Sequence, residues 1–349
     1  MTTTLVETPR EAADLVALLT TREPAEEAAL FAAADAVRKE HVGDGVHLRA
    51  LIEFSSYCRG SCKYCGLRAA NRELQRYRMA PEDIVAAAVV ARDLGYRTVV
   101  LQSGEDASYT GEMLAGVVRE IKALCDVAVT MCVGERPEAD YALWREAGAD
   151  RYLLRIETSD PDLYATLHPG MSFDNRLRCL QTLRRLDYEL GCGVLIGLPG
   201  QSDESRARDL LFLADLEPDM LGLGPFIPHP QTPIADALPA DLTTTLRMTA
   251  LARLLLPGAH IVATTALGTI DPAGRERGLS VGADVVMPNV TPQQFRALYE
   301  IYPGKICINE TPDKCRGCIE LRIRGLGRHV AGGKGGRPKD SFPQGVDRE

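Results

Sequence analysis

The chain has no stretch approaching the roughly 20 consecutive apolar residues that a membrane-spanning helix needs. Its opening residues, MTTTLVETPREAADL, lack a basic region followed by an apolar core, so they do not read as a secretory signal. Positive charge is also short, with 40 Lys and Arg against 48 Asp and Glu and a formal net charge of −8. No basic stripe offsets that deficit, which argues against a general affinity for nucleic acid. No sequence repeat of about 20–50 residues is present beyond an alternation of strand-like and helix-like segments. The expectation is a cytoplasmic protein that engages neither membrane nor nucleic acid.

Cysteine is plentiful by comparison, with ten in 349 residues. In a reducing cytosol such residues are metal ligands or core residues more often than disulfides. Cys125, Cys132, Cys179 and Cys192 stand apart and read as small core residues. The other six form two trios, one near each end of the chain. In FSSYCRGSCKYCGLR, from Phe54 to Arg68, the first trio is Cys58, Cys62 and Cys65. Disulfide frameworks use even numbers and structural zinc sites use four ligands. Three thiolates from one short loop instead suit an iron–sulfur cubane with three irons held by protein and one open. A zinc site completed by His41 or His47 is the competing reading.

PAEEAALFAAADAVRKEHVGD is rich in Ala, Leu and Glu and ends on Gly43 after a basic turn, the pattern of a helix. Strand candidates then follow at 46–55, 97–104, 126–134, 151–157, 191–200, 220–228, 260–267 and 283–289. Helical stretches separate them, with Pro81 and Ser202 at favoured starting positions. Eight such units over roughly 250 residues fit a (β/α)8 TIM barrel better than a doubly wound sheet. In that fold catalytic groups sit at the C-terminal strand ends, and the first trio falls just after the first strand. The expected organisation is an N-terminal helical extension (1–44), the barrel (45–300), and a C-terminal segment (301–349). Beyond about residue 327 the composition is Gly-, Lys- and Pro-rich, the signature of a flexible or loosely docked tail. Arg151, Leu153, Arg155 and Glu157 share one face of the fourth candidate strand, because side chains alternate along a strand. That face points into the barrel, where charges must be paired with each other or with a charged ligand.

The Cys58-x3-Cys62-x2-Cys65 spacing, with Tyr64 before the last cysteine, resembles the signature of the radical S-adenosylmethionine (SAM) enzymes. The resemblance implies a 4Fe–4S cluster whose open iron binds SAM, and reductive cleavage of SAM to a 5′-deoxyadenosyl radical. QSGED (102–106) resembles the motif that holds the amino group of SAM, with Ser103, Gly104 and Glu105 in its positions. GCGVLIGLPGQS resembles the glycine-rich segment near the adenine. Within the superfamily, roughly residues 25–325 are similar to the subgroup of biotin synthase, methylornithine synthase and the FeFe-hydrogenase maturase HydE. RYRMAPEDI, TVVLQSGED, RYLLRIETSDPDLYATLHPG and LGTIDPAGRERGLSVGADVVMPNVTP favour the HydE family.

That resemblance assigns Glu157 to the ribose and Arg176 to the methionine carboxylate. It gives Thr130, Arg151, Arg155, Thr264 and Thr265 to an anion or substrate pocket, with Met287 and Tyr299 on its wall. Thr264 and Thr265 can both serve only where their strand ends. Cys307, Cys315 and Cys318 match an accessory cluster, 2Fe–2S or 4Fe–4S, near the surface and beyond the active-site face. The implied function is assembly of the dithiolate-bridged di-iron subsite of the hydrogenase H-cluster, on a cysteine-bound iron carbonyl cyanide precursor. The implied partners are an electron donor such as a flavodoxin or ferredoxin, and other hydrogenase maturases. The alternatives are an amino-acid mutase of the methylornithine synthase type and a non-enzymatic iron–sulfur scaffold or carrier.

Overall fold

The computed structural model describes residues 11–336. Twelve strands appear in it: β1 (Gly45–Leu48), β2 (Ala50–Ser55), β3 (Thr98–Ser103), β4 (Ala128–Cys132), β5 (Arg151–Leu153) and β6 (Glu189–Cys192). The others are β7 (Leu195–Ile196), β8 (Met220–Leu221), β9 (Gly224–Pro225), β10 (His260–Ile261), β11 (Val285–Val286) and β12 (His329–Val330). Seven of them form one sheet of order β10-β8-β6-β5-β4-β3-β2, and every pairing is parallel. The segment carrying β11 closes the ring. Val285 bridges Val262 beyond β10, and Asn289 bridges Leu51 of β2, both in parallel. The protein is therefore a parallel α/β barrel with its strand ends at a common mouth.

Strands this short are buried on both faces, which is why they read as apolar runs rather than clean alternations. Helices between them start where the sequence supplies a cap. Thr110, Ser172, Ser202 and Asp241 each accept a backbone N–H with the side-chain oxygen. The N-terminal helices Ala12–Thr20 and Pro24–Val42 pack on the outside of the barrel. Their Leu15, Leu19, Leu30 and Ala34 belong to the barrel's own hydrophobic core. Residues 1–10 of the expected extension and 337–349 of the expected tail lie outside the described residues.

The described part of the tail is docked firmly. β12 pairs with β1, and residues 331–336 then run beneath the barrel floor. The Lys334 carbonyl accepts from Thr98 Oγ1 (2.7 Å) and Arg151 Nη2 (3.0 Å). The Gly335 carbonyl accepts from Arg49 Nη2 at 3.1 Å, and the Gly336 carbonyl lies 3.3 Å from His260 Nε2. Backbone oxygens, not apolar side chains, hold this segment, so its composition gave no sign of docking.

Candidate active site

β2 delivers the chain to the mouth, and the loop after it carries Cys58, Cys62 and Cys65, none of them in a disulfide. The loop is organised by Arg76, whose guanidinium donates to the carbonyls of Ser56, Leu67, Arg68 and Asn71. Two glycines permit close approach. A Cβ on Gly104 would lie 2.3 Å from the Tyr57 carbonyl, and one on Gly66 would lie 2.2 Å from that of Glu300. Cys58 Sγ accepts backbone N–H groups from Gly60 (3.3 Å) and Glu105 (3.4 Å). Cys58 and Cys62 sulfurs flank Gly60, at 3.4 and 3.7 Å from where its Cβ would stand.

Burial pushes the Cys62 thiol up to about 12 and raises Cys58 and Cys65 as well. Thiolates at this position therefore need cations beside them, which irons would supply. Among the described residues no three His, Cys, Asp or Glu converge on a position for a single metal ion. His47 lies on the barrel floor against His260, their ring centroids 4.9 Å apart, so it cannot complete a zinc site with this loop. The trio suits a cluster of several irons.

Beside the loop, the barrel encloses a cavity of about 350 Å³. Cys62, Tyr64, Cys65, Ser103, Arg155, Glu157 and Arg176 line it. Arg155 Nη2 donates to the Val194 carbonyl at 2.7 Å and pairs with Glu157 at 2.8 Å. Arg176 Nε pairs with Glu135 at 2.6 Å, and its Nη1 reaches the Arg155 carbonyl. Burial raises the Glu157 carboxyl while Arg155 and Arg176 pull it down. Glu157 also sits at φ 68°, a left-handed conformation that costs a non-glycine residue about 1–3 kcal/mol. Arg155 Nε and Thr264 Oγ1 are buried with no hydrogen-bond partner among the described residues. Orphaned polar atoms in a cavity wall fit a polar ligand.

Thr264, Thr265, Met287 and Tyr299 also line the cavity. The two threonines share it because β10 stops at Ile261 and a helix begins at Thr265. Of the residues predicted to bind SAM or substrate, four do not line it. Arg151 lies at the opposite end of the barrel, bound to Glu189 (2.5 Å), Thr98 (3.1 Å) and the Lys334 carbonyl. Thr130 pairs with Arg151 in register and is fully buried beneath the cavity. Gly104 packs on the cysteine loop, and Glu105 braces it, accepting from Arg59 Nε (2.9 Å) and the Glu135 N–H (2.8 Å).

Several lining residues escaped sequence reasoning: Glu53, Gln102, Cys132, Tyr302 and Lys305. Glu53 had a signal, a lone charge inside the apolar ALIEFS strand. Cys132, expected in the core, faces the cavity wall, unlike buried Cys125, Cys179 and Cys192. The chain leaves the cavity only just before the second trio, whose three cysteines do not line it. Tyr299, Ile301, Tyr302 and Lys305 all line the cavity immediately before Cys307. Cys307 and Cys315 are within hydrogen-bonding reach of each other, whereas Cys318 is exposed one helical turn on.

Residues 52–213 match the Radical SAM superfamily. The FeFe-hydrogenase maturase subunit HydE of Thermotoga maritima is 53% identical over 311 residues, covering 89% of each chain. The chain belongs to the radical SAM superfamily, within the HydE family of hydrogenase maturases. Membership makes it a radical SAM enzyme, with a 4Fe–4S cluster and SAM as the cofactors that the superfamily implies. The chain is more distantly similar to the 3-methylornithine synthases. That of Methanosarcina acetivorans is 30% identical over 275 residues, 78% of this chain and 77% of that one. A crystal structure of methylornithine synthase superposes with a TM-score of 0.81 at 27% identity, covering 92% of this chain and 94% of that one. No helix among the described residues is long and apolar enough to cross a membrane.

Proposed function

We propose that this HydE-family chain acts in assembly of the di-iron subsite of FeFe hydrogenase, on a cysteine-bound iron carbonyl cyanide precursor held in the barrel cavity. The observation that carries the reading is the shared cavity. Cys62 and Cys65 line the same space as Arg155, Glu157, Arg176 and the orphaned Thr264 hydroxyl. When bound, the cluster and SAM supply a 5′-deoxyadenosyl radical.

The residues divide the remaining work. Cys58, Cys62 and Cys65 would hold the iron–sulfur cluster through three of its irons. Arg176, held in place and charge-matched by Glu135 at 2.6 Å, takes the methionine carboxylate. Glu157, oriented by Arg155, takes the ribose hydroxyls, and Ser103 and Tyr64 close that end. Glu105 and Gly104 act on the loop rather than on the ligand. Arg155, Thr264 and Thr265 face the substrate, and the apolar wall excludes water. An electron donor of the flavodoxin or ferredoxin kind and the other hydrogenase maturases are the partners this chemistry requires.

Cys307, Cys315 and Cys318 bind a second iron–sulfur cluster, 2Fe–2S or 4Fe–4S, that is labile because Cys318 is exposed. Anaerobic reconstitution tests both centres. Reduced protein with SAM should release methionine and 5′-deoxyadenosine, and a Cys58/Cys62/Cys65→Ala variant should release neither. A Cys307/Cys315/Cys318→Ser variant should lose iron yet keep releasing both products. Equal cleavage by the first variant would refute the radical assignment.

A further inference from the structure

The cavity holds a second ionic pair on the wall away from Arg155, and its two members are unequally satisfied. Lys305 and Glu53 form it, with side chains 8% and 1% exposed. Both Glu53 oxygens have a partner: one accepts from Lys305 and the other from Asn289 Nδ2 at 2.7 Å. Lys305 is less fully satisfied. An ammonium carries three donors, and Glu53 is its one hydrogen-bond partner among the described residues. The Tyr299 ring, 5.2 Å from Nζ, adds attraction without a lone pair. Gln102 and Tyr302 flank the pair on the cavity wall, and neither brings a charge. Across the cavity the charges are matched, Arg155 with Glu157 and Arg176 with Glu135.

A pair that served only to neutralise itself would satisfy both groups within the protein. Here each carboxylate oxygen is paired while the ammonium has two donors left, in a cavity it lines. Burying an ammonium with unused donors is costly unless something supplies acceptors. We infer that Lys305, set in place by Glu53 and Asn289, is a substrate-anchoring cation that takes a carboxylate on the end of the substrate turned away from the cysteine loop. This rests on the reading of the cavity as the substrate chamber of a radical SAM enzyme.

Lys305→Met alone would strand a buried Glu53 charge and could unfold the barrel. The test therefore uses Glu53→Gln/Lys305→Met, which removes both charges, with Lys305→Arg as the conservative variant. Reconstituted, SAM-loaded protein is titrated calorimetrically with L-cysteine and with cysteamine, which lacks the carboxylate. The native chain should bind L-cysteine at least tenfold tighter than cysteamine. The double variant should lose that preference, and Lys305→Arg should keep most of it. If the native chain binds SAM but shows no preference, or the double variant keeps it, the inference is wrong. If the native chain fails to bind SAM at all, the radical SAM reading falls and takes the anchor with it.

Discussion

Arg155 is the residue on which ligand binding and internal pairing compete. Its Nη2 already serves the Val194 carbonyl and Glu157, while its Nε stays free in the cavity wall. Lysine keeps the charge but cannot hold two acceptors in a planar fork. Arg155→Lys should weaken ligand binding at least tenfold in calorimetry and move the melting temperature by less than about 4 °C. A sharp fall in melting temperature with binding unchanged would make the ion pair structural. The same residue shows how far sequence can be read. Alternation along RYLLRIE tells which side chains point inward, and Arg151, Leu153, Arg155 and Glu157 all do so. Alternation does not tell depth. Arg151 lies two layers below Arg155, where the floor, not a ligand, takes its donors. Lys305 was illegible for another reason: it sits in a loop with no periodicity, and its partner is 252 positions away.

At the scale of elements, the C-terminal segment makes the same point in reverse. Its low apolar content predicted looseness, because apolar burial is the usual sign of docking. What holds residues 331–336 is a row of carbonyls facing Arg49, Arg151 and Thr98. Glycine is needed for that fit at one place in particular. Gly335 has φ 63°, and a Cβ there would lie 2.6 Å from the His47 ring. Gly335→Ala should cost about 1–3 kcal/mol by lifting carbonyls from buried guanidiniums. Gly333→Ala, where the nearest atom is 4.0 Å from the added carbon, should stay within about 0.5 kcal/mol. Denaturant unfolding of the two variants side by side checks the difference. By contrast, the helix after Ser202 was legible because its cap stands in the sequence, and Thr110, Ser172 and Asp241 cap others in the same way.

For the whole molecule, buried histidines set the response to acid. Burial lowers His47 and His168 from 6.5 to about 4. Asp284 is also held low, by His260 and Arg253 against its own burial. A lowered histidine pKa means the unfolded chain binds more protons than the folded one between about pH 4 and 6.5. Stability is therefore full above that window and falls as pH drops through it, by on the order of 3 kcal/mol for His168. Glu157 and Asp209, raised by burial, oppose this at the acid end. Anaerobic melting curves from pH 7 to 5 should show the decline, and His47→Gln should flatten it.

The docked tail has one more consequence, for the order of events in catalysis. Among the described residues the floor is stopped by residues 331–336, and the cysteine loop stands at the opposite end, by the mouth. Leu153, lower on the same wall as Arg155 and Glu157, marks the depth behind them. On the proposed reading, a substrate at that depth would have to arrive before SAM occupied the mouth and wait for the fragments of SAM to depart. Filling and emptying would then run in opposite sequence, with the reactive fragment held between its target and the mouth.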